Sequence, residues 1–191
     1  MSVQIVEESV SALPDYSTVS PAFLVEARFA VDPIEGGLGG LKLRLEQVKP
    51  PYIKDYDQEN GYGPEQWRER WEISHWGIQS AFKDEVRIGG ALIAWNTPEI
   101  LMLDGRKDLA VLWDIRVHAD LRNKGIGSAL FSASANWARA RGCIHLKVET
   151  QNVNVPACHF YAKQGCRLVA INPYAYVDQP REVQFVWLLD L

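Results

Sequence analysis

Residues 109 to 141 read LAVLWDIRVHADLRNKGIGSALFSASANWARAR. The run LAVLWDIRV is apolar enough for a central strand, buried on both faces except near Asp114 and Arg116. From Gly125 to Arg141 the spacing changes to that of a helix. Ile126, Leu130, Phe131, Ser134 and Trp137 share one face, and Gly142 follows as a C-terminal stop. Between strand and helix, two glycines one residue apart stand beside Arg122 and Lys124.

A helix start leaves its first N–H groups without intrahelical partners and carries partial positive charge. Glycines at 125 and 127 keep side chains away from that main chain, so the stretch suits a phosphate-bearing ligand, with the two cations at its rim. A P-loop spelling is absent. The dinucleotide fingerprint G-x-G-x-x-[GA] breaks at Leu130 and lies too late in the chain.

Outward from this centre, AFLVEARFAV (22–31) is β-like. After the glycine-rich EGGLGG, the stretch LKLRLEQV alternates Leu41, Leu43 and Leu45 against Lys42, Arg44 and Glu46, which predicts a half-buried strand. PPYIKDYDQENGYGPEQ reads as a polar loop. ISHWGIQSAF and RIGGALIAW form a hairpin around KDEV. CIHLKVET is the next strand, VPACHFYAKQG a helix with Pro156 in its first turn and Gly165 at its end, and CRLVAINPYAYV and EVQFVWLLDL are closing strands. SALPDYSTVSP reads as loop, and nothing decides whether the first twenty or so residues are ordered. The pattern predicts one α/β domain over residues 1–191 on a mixed sheet.

The spelling [RQ]-x-x-G-x-G, met by Arg122, Gly125 and Gly127, resembles the pyrophosphate-binding loop of the GNAT family of acyl-CoA-dependent N-acetyltransferases. WDIRVHADLR resembles that family's central strand, and LKVETQNVNVPACHFYAKQGC its later L-x-V-x-x-x-N-x-x-A-x-x-x-Y-x-x-x-G-F segment. The likeness runs from about Val111 to Val169, within an acetyl-CoA-binding core of 109–169. Two positions depart from it: Ala119 stands for the usual proline, and Cys166 for the phenylalanine after Gly165.

The resemblance implies a single GNAT-type domain, with a mixed, mostly antiparallel sheet flanked by helices and acetyl-CoA bound as co-substrate at splayed central strands. Main-chain groups of Ile115, Arg116 and Val117 would pair with the pantetheine arm. Arg122, Asn123, Lys124, Gly125, Ile126, Gly127 and Ser128 would hold the pyrophosphate, with Asn154 and Tyr161 also at the cofactor.

Acetyl transfer to an amine needs a base, stabilisation of the oxyanion and a proton for the thiolate. Glu149, at the end of a strand, matches a glutamate used as base in some members of the family. Asp114 is the second candidate, with structural pairing to Arg116 as its other reading. Tyr161 is the candidate acid, and an N–H near Val117 the oxyanion donor. The histidines at 75, 118, 145 and 159 lack metal-ligand spacing, so no metal is expected. Trp67, Trp71 and Trp76 are read as packing or an aromatic wall, and Cys143, Cys158 and Cys166 as small buried hydrophobes.

Regions such as GLKLRLEQVKPPYIKDYDQENG and NVNVPACHFYAKQG look like those of streptothricin and nourseothricin acetyltransferases. This points to a small cationic amine as acceptor and to antibiotic resistance. Tyr52, Asp55, Tyr56 and Asp57 would bind it, with Glu59 and Tyr62 in the same loop. Two alternatives stand beside this: acetylation of a protein N-terminus or lysine, and a non-catalytic acyl-CoA sensor.

The chain has 191 residues, 47% hydrophobic and 23% charged, which suits a globular core. A net charge of −4 without a basic cluster argues against nucleic acid and anionic membranes as partners. The odd cysteine count and the acidic N-terminal stretch point to a soluble cytoplasmic protein, and monomer and homodimer both stay open.

Overall fold

The apolar strand running into a glycine-started helix lies at the centre of the fold in the computed structural model, which describes residues 2–59 and 63–191. In chain order the elements are β1 (Gln4–Glu8), α1 (Leu13–Ser17), β2 (Phe23–Pro33), β3 (Leu41–Lys54), α2 (Tyr56–Glu59), α3 (Trp67–Arg70), β4 (Gly77–Lys83) and β5 (Val86–Ala94). There follow β6 (Leu109–Val117), α4 (Ile126–Arg139), β7 (His145–Gln151), α5 (Val155–Lys163), β8 (Arg167–Asn172) and β9 (Gln184–Asp190). Seven strands form one sheet in the order β1-β4-β5-β6-β7-β9-β8, while β2 and β3 form a separate two-stranded ribbon. The sheet is mixed, with β6 and β7 parallel and the strands from β1 to β6 joined by antiparallel ladders. No helix among the described residues is long and apolar enough to cross a membrane.

Two compact units divide the chain. The first comprises the residues up to Ala22, Asp55–Val148 and Leu188–Leu191. Its amphipathic helix α4 packs on β4, β5 and β6, with Ile126, Leu130, Phe131, Ser134 and Trp137 among its buried residues. The helical face read from the sequence is therefore the buried one. The hairpin around Asp84 and Glu85 turns with both residues at positive φ, as a tight right-twisted hairpin requires. Leu13 and Tyr16 of α1 are fully buried in this unit's core, so the stretch that reads as loop is a short helix. Five residues give no helical period, and only the pocket that receives Tyr16 shows why they coil.

That pocket exists because of Gly90. A Cβ there would lie 2.6 Å from the Tyr16 ring, and one at Gly89 would lie 2.8 Å from the Arg116 carbonyl oxygen. The two glycines of RIGGALIAW let a ring and a neighbouring strand lie directly against β5.

The second unit comprises Phe23–Lys54 and Glu149–Trp187. Here α5 packs on β2 and β8, and Phe29 of β2 meets the rings of His159 and Phe185. Alternation in LKLRLEQV marks a strand, but Leu41 and Leu45 are 49% and 52% exposed instead of buried. Periodicity identifies the strand, whereas a covering layer decides which face is buried. β3 also runs on through Pro50 and Pro51 to Lys54, part of the stretch that reads as loop, because its ladder with β2 continues to Phe23↔Lys54.

Gly90→Ala should lower stability by about 1–3 kcal/mol through the clash with Tyr16. The measurement is a fall in urea midpoint at unchanged slope.

Candidate functional site

In the first unit, the functional region grows out of β6. Its parallel ladder with β7 runs from Leu109↔His145 to Leu112↔Val148. Its antiparallel ladder with β5 continues to Gly89↔Val117, after a register shift that leaves Trp113 as the extra residue of a bulge. Trp113 meets Trp67, Trp71 and Trp76, with ring centroids 6.4, 5.0 and 5.4 Å away. These tryptophans, with Trp67 and Trp76 buried, pack the core. From Trp113 to Val117, the described residues pair β6 with β5 alone, leaving an edge of main chain for another partner.

The segment that follows is held by its own side chains. Arg122 Nε donates to Val117 O at 3.0 Å, and Lys124 Nζ to Asp120 O at 2.9 Å. Burial lowers the Arg122 pKa. Asn123 and Gly125 both take positive φ, 62° and 84°, and Gly125 is the N-cap of α4. A Cβ on Gly125 would meet nothing within 4 Å, so the space beside its main chain is open. The helical ladder starts with Ala129 N–H on Gly125 O, so the amides of Ile126 and Gly127 precede its first bond. An open, amide-lined and partly cationic helix start beside a half-paired strand fits a ligand with an amide arm and a pyrophosphate.

Arg116 contributes more than its main chain. Its side chain is only 1% exposed. Nε donates to Asp114 Oδ2 at 2.7 Å, Nη1 to Val19 O at 3.0 Å and to Asp57 Oδ2 at 2.8 Å, and Nη2 to Asp57 Oδ1 at 3.2 Å. Tyr16 Oη donates to the same Asp114 oxygen at 2.6 Å. Burial alone would lower the Arg116 pKa, but the charge of Asp114 and the bonds from Asp57 hold it above the usual value. Burial, with the Asp114 charge second, keeps the Tyr16 phenol protonated as a donor. The sequence expectation of exposure near Arg116 is thereby corrected, since two carboxylates compensate its burial.

Of the acceptor-loop residues, Asp57 is thus tied to Arg116, and Asp55 Oδ1 accepts the Asp57 N–H at 3.0 Å. Tyr56 begins α2, and Tyr52 lies on β3 in the second unit, 40% exposed. Tyr62 and the side chain of Glu59 lie outside the described residues.

In the second unit, Glu149 on β7 is partly exposed. Its Oε1 accepts from Tyr176 Oη and its Oε2 from Gln184 Nε2, both at 2.7 Å. Both partners are neutral. Asn154 caps α5, its side chain accepting the Ala157 N–H at 3.2 Å. Tyr161 is buried on the same helix, its ring 6.5 Å from that of Trp187. The cysteines are buried free thiols, and burial pushes Cys158 and Cys166 up to about 11, so neither offers a thiolate at neutral pH. Among the described residues, no group of three or more His, Cys, Asp or Glu is arranged to hold a metal ion.

Tyr16, Tyr176 and Gln184 carry no motif. Their partners lie far away in the sequence, and only Gly89–Gly90 hinted at a close approach on β5.

The model of the acetyltransferase (GNAT) family matches residues 43–166. Streptothricin acetyltransferase A of Bacillus subtilis is 38% identical over 80 residues, 41% of this chain and 46% of that protein, so the match spans less than half of the relative's length. The Escherichia coli streptothricin acetyltransferase is 29% identical over 144 residues, 74% of this chain and 70% of its own. Among solved structures, a candidate streptothricin acetyltransferase from Bacillus anthracis, in complex with acetyl coenzyme A, superposes with a TM-score of 0.76 at 25% identity and covers both chains completely.

Replacing Arg116 with Met should cost about 3 kcal/mol, because Asp114 and Asp57 would lose their counter-charge. Chemical denaturation checks this, and Asp57→Asn, which keeps one acceptor oxygen, should cost less.

Proposed function

The chain belongs to the GNAT acetyltransferase family, whose members use acetyl-CoA, and from that premise we propose that it acetylates a primary amine of a small, streptothricin-type cation. The amine attacks directly within a ternary complex. The observation that carries the mechanism is the setting of Glu149, a partly exposed carboxylate whose two bonds come from neutral donors. A carboxylate has about four acceptor sites, so two are left for an ammonium and its proton. Asp114, by contrast, is committed to Arg116 and Tyr16, which makes it the weaker candidate for the base. The streptothricin-type acceptor is supported by the relatives' names.

When bound, acetyl-CoA supplies the thioester whose acetyl group is transferred. Main-chain groups of Ile115, Arg116 and Val117 take its amide arm as an added strand, and the Val117 N–H is assigned to the acetyl oxygen, where negative charge grows. The amides of Gly125, Ile126, Gly127 and Ser128, with Arg122, Asn123 and Lys124, are assigned to the pyrophosphate. Glu149 takes a proton from the amine as the new C–N bond forms. Tyr161 returns a proton to the sulfur as the C–S bond breaks, and it stands seven residues after Asn154, on the same face of α5. Tyr52, Asp55 and Tyr56 are assigned to the acceptor, with Asp57 anchoring α2 to Arg116. High thiol pKa values at Cys158 and Cys166 support direct transfer over an acetyl-cysteine route.

Thiol release with streptothricin as acceptor tests this reading, and turnover of other amines with none on streptothricin would remove the proposed substrate. Glu149→Gln should slow turnover about a hundredfold at pH 7, with partial recovery near pH 10 as the amine loses its proton unaided. Gly125→Val should weaken acetyl-CoA binding about tenfold in calorimetry, because a branched residue strains at a φ of 84° and its side chain occupies the open space beside the main chain.

A further inference from the structure

A carboxylate that removes a proton needs a fixed direction, and the atoms that fix Glu149 come from the chain after β8. Tyr176 lies in the connection between β8 and β9, and Gln184 is the first residue of β9. We infer that Tyr176 is a positioning residue for Glu149, and that the buried Lys54 is the pin that holds the Tyr176 segment in place. This rests on Glu149 acting as the base.

The hydroxyl of Tyr176 accepts from Gln151 Nε2 at 3.2 Å and donates to Glu149 at 2.7 Å. An oxygen that already receives an amide N–H directs its own proton to the carboxylate, and the two bonds polarise each other. Gln184 holds the second oxygen, so the carboxylate plane is fixed at both ends while two acceptor sites stay open.

The connection that carries Tyr176 is folded by two successive turns, Gln179 N–H on Tyr176 O at 3.3 Å and Glu182 N–H on Gln179 O at 2.9 Å. Both side chains then close on one ammonium: Lys54 Nζ lies 2.9 Å from Gln179 Oε1 and 2.8 Å from Glu182 Oε1. Past Glu182, Val183 N–H donates to Asn152 Oδ1 at 2.9 Å. Lys54 is 1% exposed at the end of an otherwise open ribbon strand. Stability alone is a weak reason for such a residue, since an apolar side chain of similar volume avoids the cost of taking an ammonium out of water. What the ammonium adds is direction: it donates to two partners on one segment and sets where Tyr176 stands.

The test is a pair of measurements on the full chain. Carbon-13 NMR of labelled glutamate, with the Glu149 signal assigned by its loss in Glu149→Gln, follows the carboxyl titration without needing an acceptor. Tyr176→Phe removes a donor to the carboxylate, so the pH dependence of the Glu149 signal should shift upward from wild type. Lys54→Met should move it the same way by less, with Glu182→Gln in its place if that chain does not fold. With acetyl-CoA and streptothricin, Tyr176→Phe should lower kcat about tenfold, leave the KM for acetyl-CoA unchanged and move the acidic limb of the pH profile upward, with no further loss in a Glu149→Gln background. An unchanged Glu149 titration in Tyr176→Phe overturns the positioning role, and lowered melting temperature with wild-type titration in the Lys54 variant overturns the pin. If Glu149→Gln itself keeps the wild-type rate, it is the assignment of the base that falls.

Discussion

A guanidinium closed off from water has to be matched by negative charge, and in the first unit Arg116 sets that condition for everything around it. At its distances to Asp114 and Asp57, each attraction is worth several kcal/mol at the effective dielectric of a protein interior, enough to offset burial only while both carboxylates stay in place. Asp114 is next to Arg116 on β6 in alternate register, but Asp57 comes from α2 and Tyr16 from α1. One charge therefore ties a strand to two short helices that have too few residues to be stable alone.

The same strand shows how a sheet leaves room for a ligand. Up to Leu112, β6 is paired on both sides and its burial is that of a central strand. The Trp113 bulge turns the next residues, the ladder to β7 stops, and the strand leads through a short connection into the glycine-started helix α4. The aromatic cluster around Trp113 fills the core where the bulge disturbs regular packing. An edge strand and a helix N-terminus are liabilities elsewhere; placed in succession they suit a ligand with an amide arm followed by phosphates.

Two carboxylates in this chain show how environment divides labour between similar groups. Asp114 faces a permanent cation and a buried phenol, so its charge is part of the structure. Glu149 faces a phenol and an amide, which orient it without neutralising it. The second is the arrangement suited to meeting a cationic substrate, and it depends on a connection between two late strands that is itself folded around a buried lysine.

By itself the sequence determined the elements whose evidence is local: the central strand, the buried face of α4, the hairpin at Asp84–Glu85, and α5 with Pro156 in its first turn and Gly165 at its end. Each of these is set by hydrophobic period or by backbone dihedrals that few residue types adopt. Only the tertiary structure decided what depends on partners remote in the chain. It showed that LPDYS coils because Gly90 leaves a place for Tyr16, that Leu41 and Leu45 of β3 are exposed, and that β3 runs on through two prolines. It also tied Asp57 of the expected acceptor loop to Arg116, and gave Glu149 its two holders. Hydrogen bonds between side chains more than twenty residues apart leave no periodic trace, and for that reason the chemistry of the site was legible as a list of residue types but not as an arrangement.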